Sequence, residues 1–188
     1  MLKRLFTSNS RIAILNLLMF NQDNQFHLRE IAKRIGVTPI HVSKELENLS
    51  KAGLVVKYSK ANLSLYSINR RSPLLEDLRR LFLKTDYLGE AIRSKLAGRA
   101  EYCLIYGSFA RGDESESSDI DLFVVSGMPE DELLDLVRRL EKTARREMNY
   151  VLWDEKTFQE RKRDHLVSTI KAGPIIMLLG DEDEFRNE

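Results

Sequence analysis

Cysteine is nearly absent: Cys103 is the sole one in 188 residues. No internal disulfide can form, and one cysteine in this length fits a reducing, cytoplasmic setting. Cys103 lies in an apolar, strand-like run, which predicts a buried thiol and not a nucleophile. Long hydrophobic runs are lacking as well. No stretch approaches the roughly 20 apolar residues that span a bilayer, so no membrane partner is expected. The basic start Met1-Leu2-Lys3-Arg4 precedes an apolar stretch, 12–20, which Asn16 interrupts and no small-residue cleavage site follows. No secretory leader is therefore expected. Internal repeats and low-complexity tracts are missing too, which leaves a globular chain of one or two small domains. Net charge is close to nil at +1, but it is unevenly spread. Residues 1–72 carry 12 Lys and Arg against 4 Asp and Glu, a balance of +8, whereas residues 73–188 carry 18 against 25, a balance of −7. A basic half joined to an acidic half predicts that the first half meets a polyanion.

In the basic half, Ser10 is a candidate cap for a helix with Ile12, Leu15, Leu18 and Met19 on one stripe. Leu28, Ile31, Ala32 and Ile35 predict a short amphipathic helix ending at Gly36. Thr38 as N-cap and Pro39 at the first helical position start a third helix, with Val42, Leu46 and Leu49 inward and Gly53 beyond its end. Residues 54–58 and 63–68 read as two strands around the polar turn 59–62. This order, with Arg29-Glu30-Ile31-Ala32 and the run from Val37-Thr38 to Leu54-Val55, resembles winged helix-turn-helix regulators of the MarR/ArsR type over residues 5–70. The resemblance implies that the third helix enters the major groove of double-stranded DNA. Thr38, Pro39, His41, Ser43, Lys44 and Ile40 would then face base edges. Lys57 and Lys60 would put the wing at phosphate or the minor groove, and Arg29, Lys33 and Arg34 would reach phosphates. Docking to another protein is the alternative use of such a module.

Residues 73–98 read as a helical connector, with Leu74, Leu78, Leu81, Phe82, Leu88, Ile92 and Leu96 at helical spacing and a break at Thr85 or Gly89. It either packs on the flanking domains or forms a homodimer interface. The acidic half follows. Strands are expected over 101–106, 119–125, 149–153 and 175–179, and helices over 129–147, 157–163 and 165–172. Asp181 to Glu184 read as a solvated acidic end.

The chemistry concentrates in Ile105-Tyr106-Gly107-Ser108-Phe109-Ala110-Arg111-Gly112 and Ser118-Asp119-Ile120-Asp121-Leu122. Asp119 and Asp121 on one strand would share a face, about 7 Å apart along the chain. Two such carboxylates can bracket Mg²⁺ or Mn²⁺, which favour oxygen ligands and leave room for phosphates. Gly107 admits a close backbone approach, and Ser108 brings a hydroxyl and an N–H to a turn. A phosphate cradle beside a carboxylate pair predicts a bound nucleoside triphosphate. These residues resemble the signature of the DNA-polymerase-β-like nucleotidyltransferases, in their minimal branch, over roughly residues 100–180. The resemblance implies that Gly107 and Ser108 hold the triphosphate, that Asp119 and Asp121 bind the metal and carry catalysis, and that a third carboxylate stands on the next strand. Here that place falls most naturally on Asn149, an amide that carries no charge and cannot act as a base. Glu147 shares its parity. Arg111 either touches phosphate or pairs with Asp113, Glu114 or Glu116.

The expected fold is α/β (α+β): a winged helix over 1–72, the connector over 73–98, and over 99–188 a small mixed sheet flanked by helices. Two functions follow from the resemblances. One is a dimeric DNA-binding transcriptional regulator whose second domain senses NTP with Mg²⁺. The other is an active nucleotidyltransferase that modifies a hydroxyl of a protein, such as a toxin partner, or of a small molecule, with the winged helix controlling its own operon.

Overall fold

The computed structural model describes residues 2, 6–60, 63–115, 117–144 and 146–187, with the side chains of all of these except 60, 86, 87 and 143. Part of the expected turn 59–62, and Glu116 among the candidate partners of Arg111, lie outside the described residues, as does the side chain of Lys60. The chain divides into two compact units, residues 1–82 and 83–188.

The first unit contains helix α1 (Asn9–Met19). Its cap is Ser8 and not Ser10. Ser8 is extended, and its hydroxyl accepts from the Arg11 N–H at 3.2 Å. Strand β1 (Phe26–His27), helix α2 (Leu28–Ile35) and helix α3 (Pro39–Lys51) follow. Gly36 ends α2 with φ 68°, a left-handed conformation that costs glycine nothing. Thr38 stands at the N-cap of α3, but its side chain makes no capping hydrogen bond. Strands β2 (Val55–Lys60) and β3 (Leu63–Ile68) form an antiparallel hairpin. β1 adds to the far edge of β3, which gives the order β1-β3-β2. Ile14, Leu15, Leu18, Ile31, Val42, Leu46 and Ile68 fill the core. Helix α4 (Leu75–Phe82) closes this unit.

The second unit begins in a π-helical turn, Leu83–Tyr87, and continues through α5 (Gly89–Leu96). The break expected near Thr85 or Gly89 is this turn. A Cβ on Gly89 would collide with the Lys84 carbonyl. Strand β4 (Ala100–Tyr106) leads into the one-turn helix α6 (Gly107–Arg111), then β5 (Ile120–Ser126), α7 (Glu130–Ala144) and β6 (Met148–Trp153). α8 (Glu155–Glu160), α9 (His165–Ala172), β7 (Ile176–Leu179) and α10 (Glu182–Asn187) complete the chain.

These strands form a four-stranded mixed sheet in the order β6-β5-β4-β7. β4 pairs antiparallel with β5 and β7, and β5 pairs parallel with β6. A parallel neighbour needs a crossover, and α7 supplies it. Both faces of the central strands are buried, which is why they read as continuous apolar runs. Tyr102, Leu104, Phe123 and Val125 face a cluster completed by Phe158, Val167, Ile170, Ile175, Met177 and Phe185. Phe158 and Phe185 stack at 5.8 Å, and Tyr102 meets Phe185 edge-on at 5.3 Å.

The acidic residues 181–184 face solvent, as expected, but they are not a loose end. Asp181 accepts from the N–H groups of Asp183 and Glu184 at 2.8 and 3.0 Å and so starts α10, whose Phe185 is fully buried. Burying a phenylalanine is worth about 1.5–3 kcal/mol, enough to hold a charged helix on the core. The helix expected over 129–147 is described over Glu130–Ala144 and has ended by Arg146, where the Glu141 carboxylate accepts from the Met148 N–H at 3.0 Å and the chain enters β6.

Cys103 is fully buried, and burial pushes its thiol up from 9.0 to about 12. Above pH 9 the unfolded chain ionises this thiol while the folded chain retains the proton, so the unfolded state binds fewer protons and stability falls as pH rises from 9 towards 12. We expect no iodoacetamide labelling of the native protein at pH 8 and complete labelling in urea. Rapid native labelling would place the thiol at the surface.

Candidate functional site

The site is built where β4 ends, β5 begins and β6 runs alongside. Tyr106 pairs with Asp121 across the β4–β5 ladder, and Asp121 lies opposite Asn149 in the parallel β5–β6 register. Gly107 turns the chain with φ 72°, and a Cβ there would run into the Asp121 carboxylate. Glycine is thus required twice, once for backbone freedom and once for space. Ser108 follows in α6, its carbonyl accepting from the N–H groups of Gly112 and Asp113 at 2.9 and 3.2 Å.

Asp119 stands one residue before β5, in the loop and not on the strand as expected. Its carboxylate still converges with that of Asp121. Asn149 Nδ2 donates to Asp121 Oδ1 at 3.2 Å and to Asp119 Oδ2 at 3.4 Å. One amide group therefore bridges two like charges. Asn149, and not Glu147, is the β6 residue that meets the pair. Glu147 is exposed, and its backbone oxygen accepts from the Ile120 N–H at 3.0 Å.

Arg111 pairs with a neighbouring acid: its Nε donates to Asp113 at 3.0 Å, with both side chains about half exposed. Tyr106 was not foreseen. Its hydroxyl is held above the usual phenol range by burial and then by the negative charge of Asp121. The signal was available, since an antiparallel return after Gly107 puts the residue before the turn beside the carboxylate strand. An open cavity of about 640 Å³ lies against Asn149, walled by Arg138, Glu141, Lys142 and Glu147.

Among the described residues no group of three or more His, Cys, Asp and Glu gathers to hold a metal. The donor set is two carboxylates and a carboxamide. All are hard oxygen donors once the Asn149 amide rotates its oxygen inward, and the set suits Mg²⁺ or Mn²⁺ with water and phosphate completing the shell. A second ion would find no third charge.

In the first unit Thr38, Pro39, Ile40, His41, Ser43 and Lys44 are all exposed on α3, with Ile40 at 81%. Lys57 is exposed on β2. Arg34 is committed to Glu30 at 2.8 Å and lies over the Phe26 ring at 4.9 Å.

Replacing the bridging amide by a third carboxylate, Asn149→Asp, should lower the melting temperature in EDTA by about 2–4 °C, the shift that corresponds to about 1 kcal/mol in a chain of this size. Millimolar Mn²⁺ should recover it. Scanning fluorimetry with and without metal reads both. A variant as stable as the wild type in EDTA would mean that the Asn149 bridge contributes nothing.

Residues 90–168 match the family model described as Polymerase beta, Nucleotidyltransferase. A putative protein adenylyltransferase of Methanocaldococcus jannaschii is 42% identical over 50 residues, 27% of this chain and 50% of the relative. The chain thus spans about half the length of that curated relative. A solved toxin–antitoxin structure with AMP-PNP superposes with a TM-score of 0.41 at 15% identity, over 54% of this chain and 80% of its own. Over residues 90–168, the second unit is thus similar to the polymerase-β-like nucleotidyltransferases.

Proposed function

We propose that the second unit transfers an adenylyl group from ATP to a hydroxyl of a protein. The observation that carries this reading is the convergence of Asp119, Asp121 and Asn149 on one spot against the Cβ-free wall of Gly107. The adenylyltransferase relative, similar over 50 residues, supports transfer over mere nucleotide sensing.

Gly107 and Ser108 line the phosphate side. Asp119 and Asp121 would hold Mg²⁺ or Mn²⁺, which when bound neutralises phosphate charge and polarises the α-phosphorus. In the transfer, an acceptor O–Pα bond forms and the Pα–O bond to pyrophosphate breaks. Asn149 takes no proton, so the acceptor hydroxyl gives its proton to a carboxylate oxygen of Asp119 or Asp121. Asn149 keeps those two carboxylates together and faces the cavity by which an acceptor approaches.

Incubation with α-³²P-ATP, Mg²⁺ or Mn²⁺ and cell lysate should label a protein band. The Asp119→Ala/Asp121→Ala variant should lose at least about 10²-fold of the signal, the usual scale for removing a positioned catalytic group. Metal-dependent ATP binding without transfer would reduce the domain to a nucleotide sensor.

A second reading concerns the first unit. Its element order, the hairpin packed on α3 and the exposed residues at the start of α3 support a winged helix that binds double-stranded DNA; we further propose that the chain acts as a homodimer. Lys44→Ala and Lys57→Ala should each weaken binding at every sequence and lower the salt slope, log K against log salt, by about one unit. A slope that does not change takes those lysines off the interface.

A further inference from the structure

A single arginine touches two of the segments that carry the site and stands at the entry to the third. Arg146 lies between α7 and β6, three residues before Asn149. Its Nη1 donates to the carbonyl of Ser115 at 2.7 Å and to that of Ser118 at 3.0 Å. Its guanidinium lies over the Phe109 ring at 5.1 Å. Phe109 is fully buried and sits two residues after Gly107, and Ser118 immediately precedes Asp119.

This matters because Asp119 is outside the β5 ladder. Strand pairing fixes the Asp121 backbone, whereas the Asp119 backbone is delivered by the loop, with Asn149 reaching only its carboxylate. The ties among the serines of that loop are local: Ser118 Oγ accepts from the Ser115 N–H at 2.8 Å, and the Ser115 hydroxyl meets those of Ser117 and Ser118 at 3.2 and 3.1 Å. They shape the loop without attaching it to the sheet. Arg146 supplies that attachment through charge-assisted hydrogen bonds, with a planar head that meets both carbonyls and stacks on a ring at once.

We propose that Arg146 is a positioning residue for the metal site: it holds Asp119 in place through the Ser115 and Ser118 carbonyls, and ties that placement to the Gly107 turn through Phe109. The proposal rests on the reading of Asp119 and Asp121 as metal-holding residues. Arg146 acts through the loop and not on the nucleotide, so loosening it should show first in divalent-ion affinity.

The test uses the full chain with Arg146→Ala and Arg146→Lys, and with the exposed Arg163→Ala as a charge control. Mn²⁺ binding, followed without nucleotide, should weaken by about 10-fold or more in Arg146→Ala, the usual range for groups that orient metal ligands. Arg146→Lys should fall between that variant and wild type, and Arg163→Ala should match wild type. ATP affinity at saturating Mn²⁺ should stay near the wild-type value. Amide hydrogen exchange over 115–119 should quicken in Arg146→Ala while the β4 and β5 amides stay protected. Unchanged Mn²⁺ affinity overturns the proposal, as does a loss of ATP affinity that saturating Mn²⁺ does not restore, since that marks a direct phosphate contact. If wild type binds no Mn²⁺, the metal reading itself fails. The loop exchange then decides alone: faster exchange keeps Arg146 as the anchor of Asp119, and unchanged exchange removes it.

Discussion

Two carboxylates held side by side repel each other, and everything around the site answers that constraint. Like charges about 4 Å apart cost about 1 kcal/mol in water and about 4 kcal/mol where the surroundings are less polar. Asn149 offsets part of the cost by donating to both Asp119 and Asp121. Gly107 contributes by absence, leaving the Asp121 carboxylate room that any side chain would take. Tyr106 lies beside Asp121, and burial first and that charge second make it harder to ionise.

The sheet exists to bring these groups to one spot. β4 and β5 are antiparallel neighbours, so the turn at Gly107 and the start of β5 fall at the same end of the sheet. β6 runs parallel to β5, so its beginning also falls there, and the register sets Asn149 opposite Asp121. Behind this end, the aromatic cluster of Tyr102, Phe123, Phe158 and Phe185 fixes the strands from one face. A slip of one residue in β6 would turn Asn149 to the opposite face and leave the carboxylates without their bridge.

Much of this was legible in the residues. The apolar runs entering Gly107-Ser108 and leaving Asp119-Ile120-Asp121 marked two buried strands, and the family resemblance implied that the next strand meets the aspartates at Asn149. Other features required the tertiary structure. Ser8 and Ser10 are equivalent as local cap signals, and only the backbone conformation separates them. The anchoring of the acidic end was hidden because one phenylalanine among charges makes no periodic pattern, yet Phe185 finds a ring to stack on. Arg111 was open between phosphate and a neighbouring acid, and Asp113 lies within hydrogen-bond reach. Arg146 had no local signature, since its partners are carbonyls about 30 residues away and a ring on another helix.

The third position of the site has one more consequence, and it lies in the genetic code. Asparagine and aspartate codons differ by one base, and here the two side chains would occupy nearly the same volume at the edge of an already folded sheet. A single nucleotide change at codon 149 would exchange a donor that quiets two charges for a third charge that invites a second cation. A gene built this way keeps a richer metal chemistry one mutational step away, with no rearrangement of the strands that carry it.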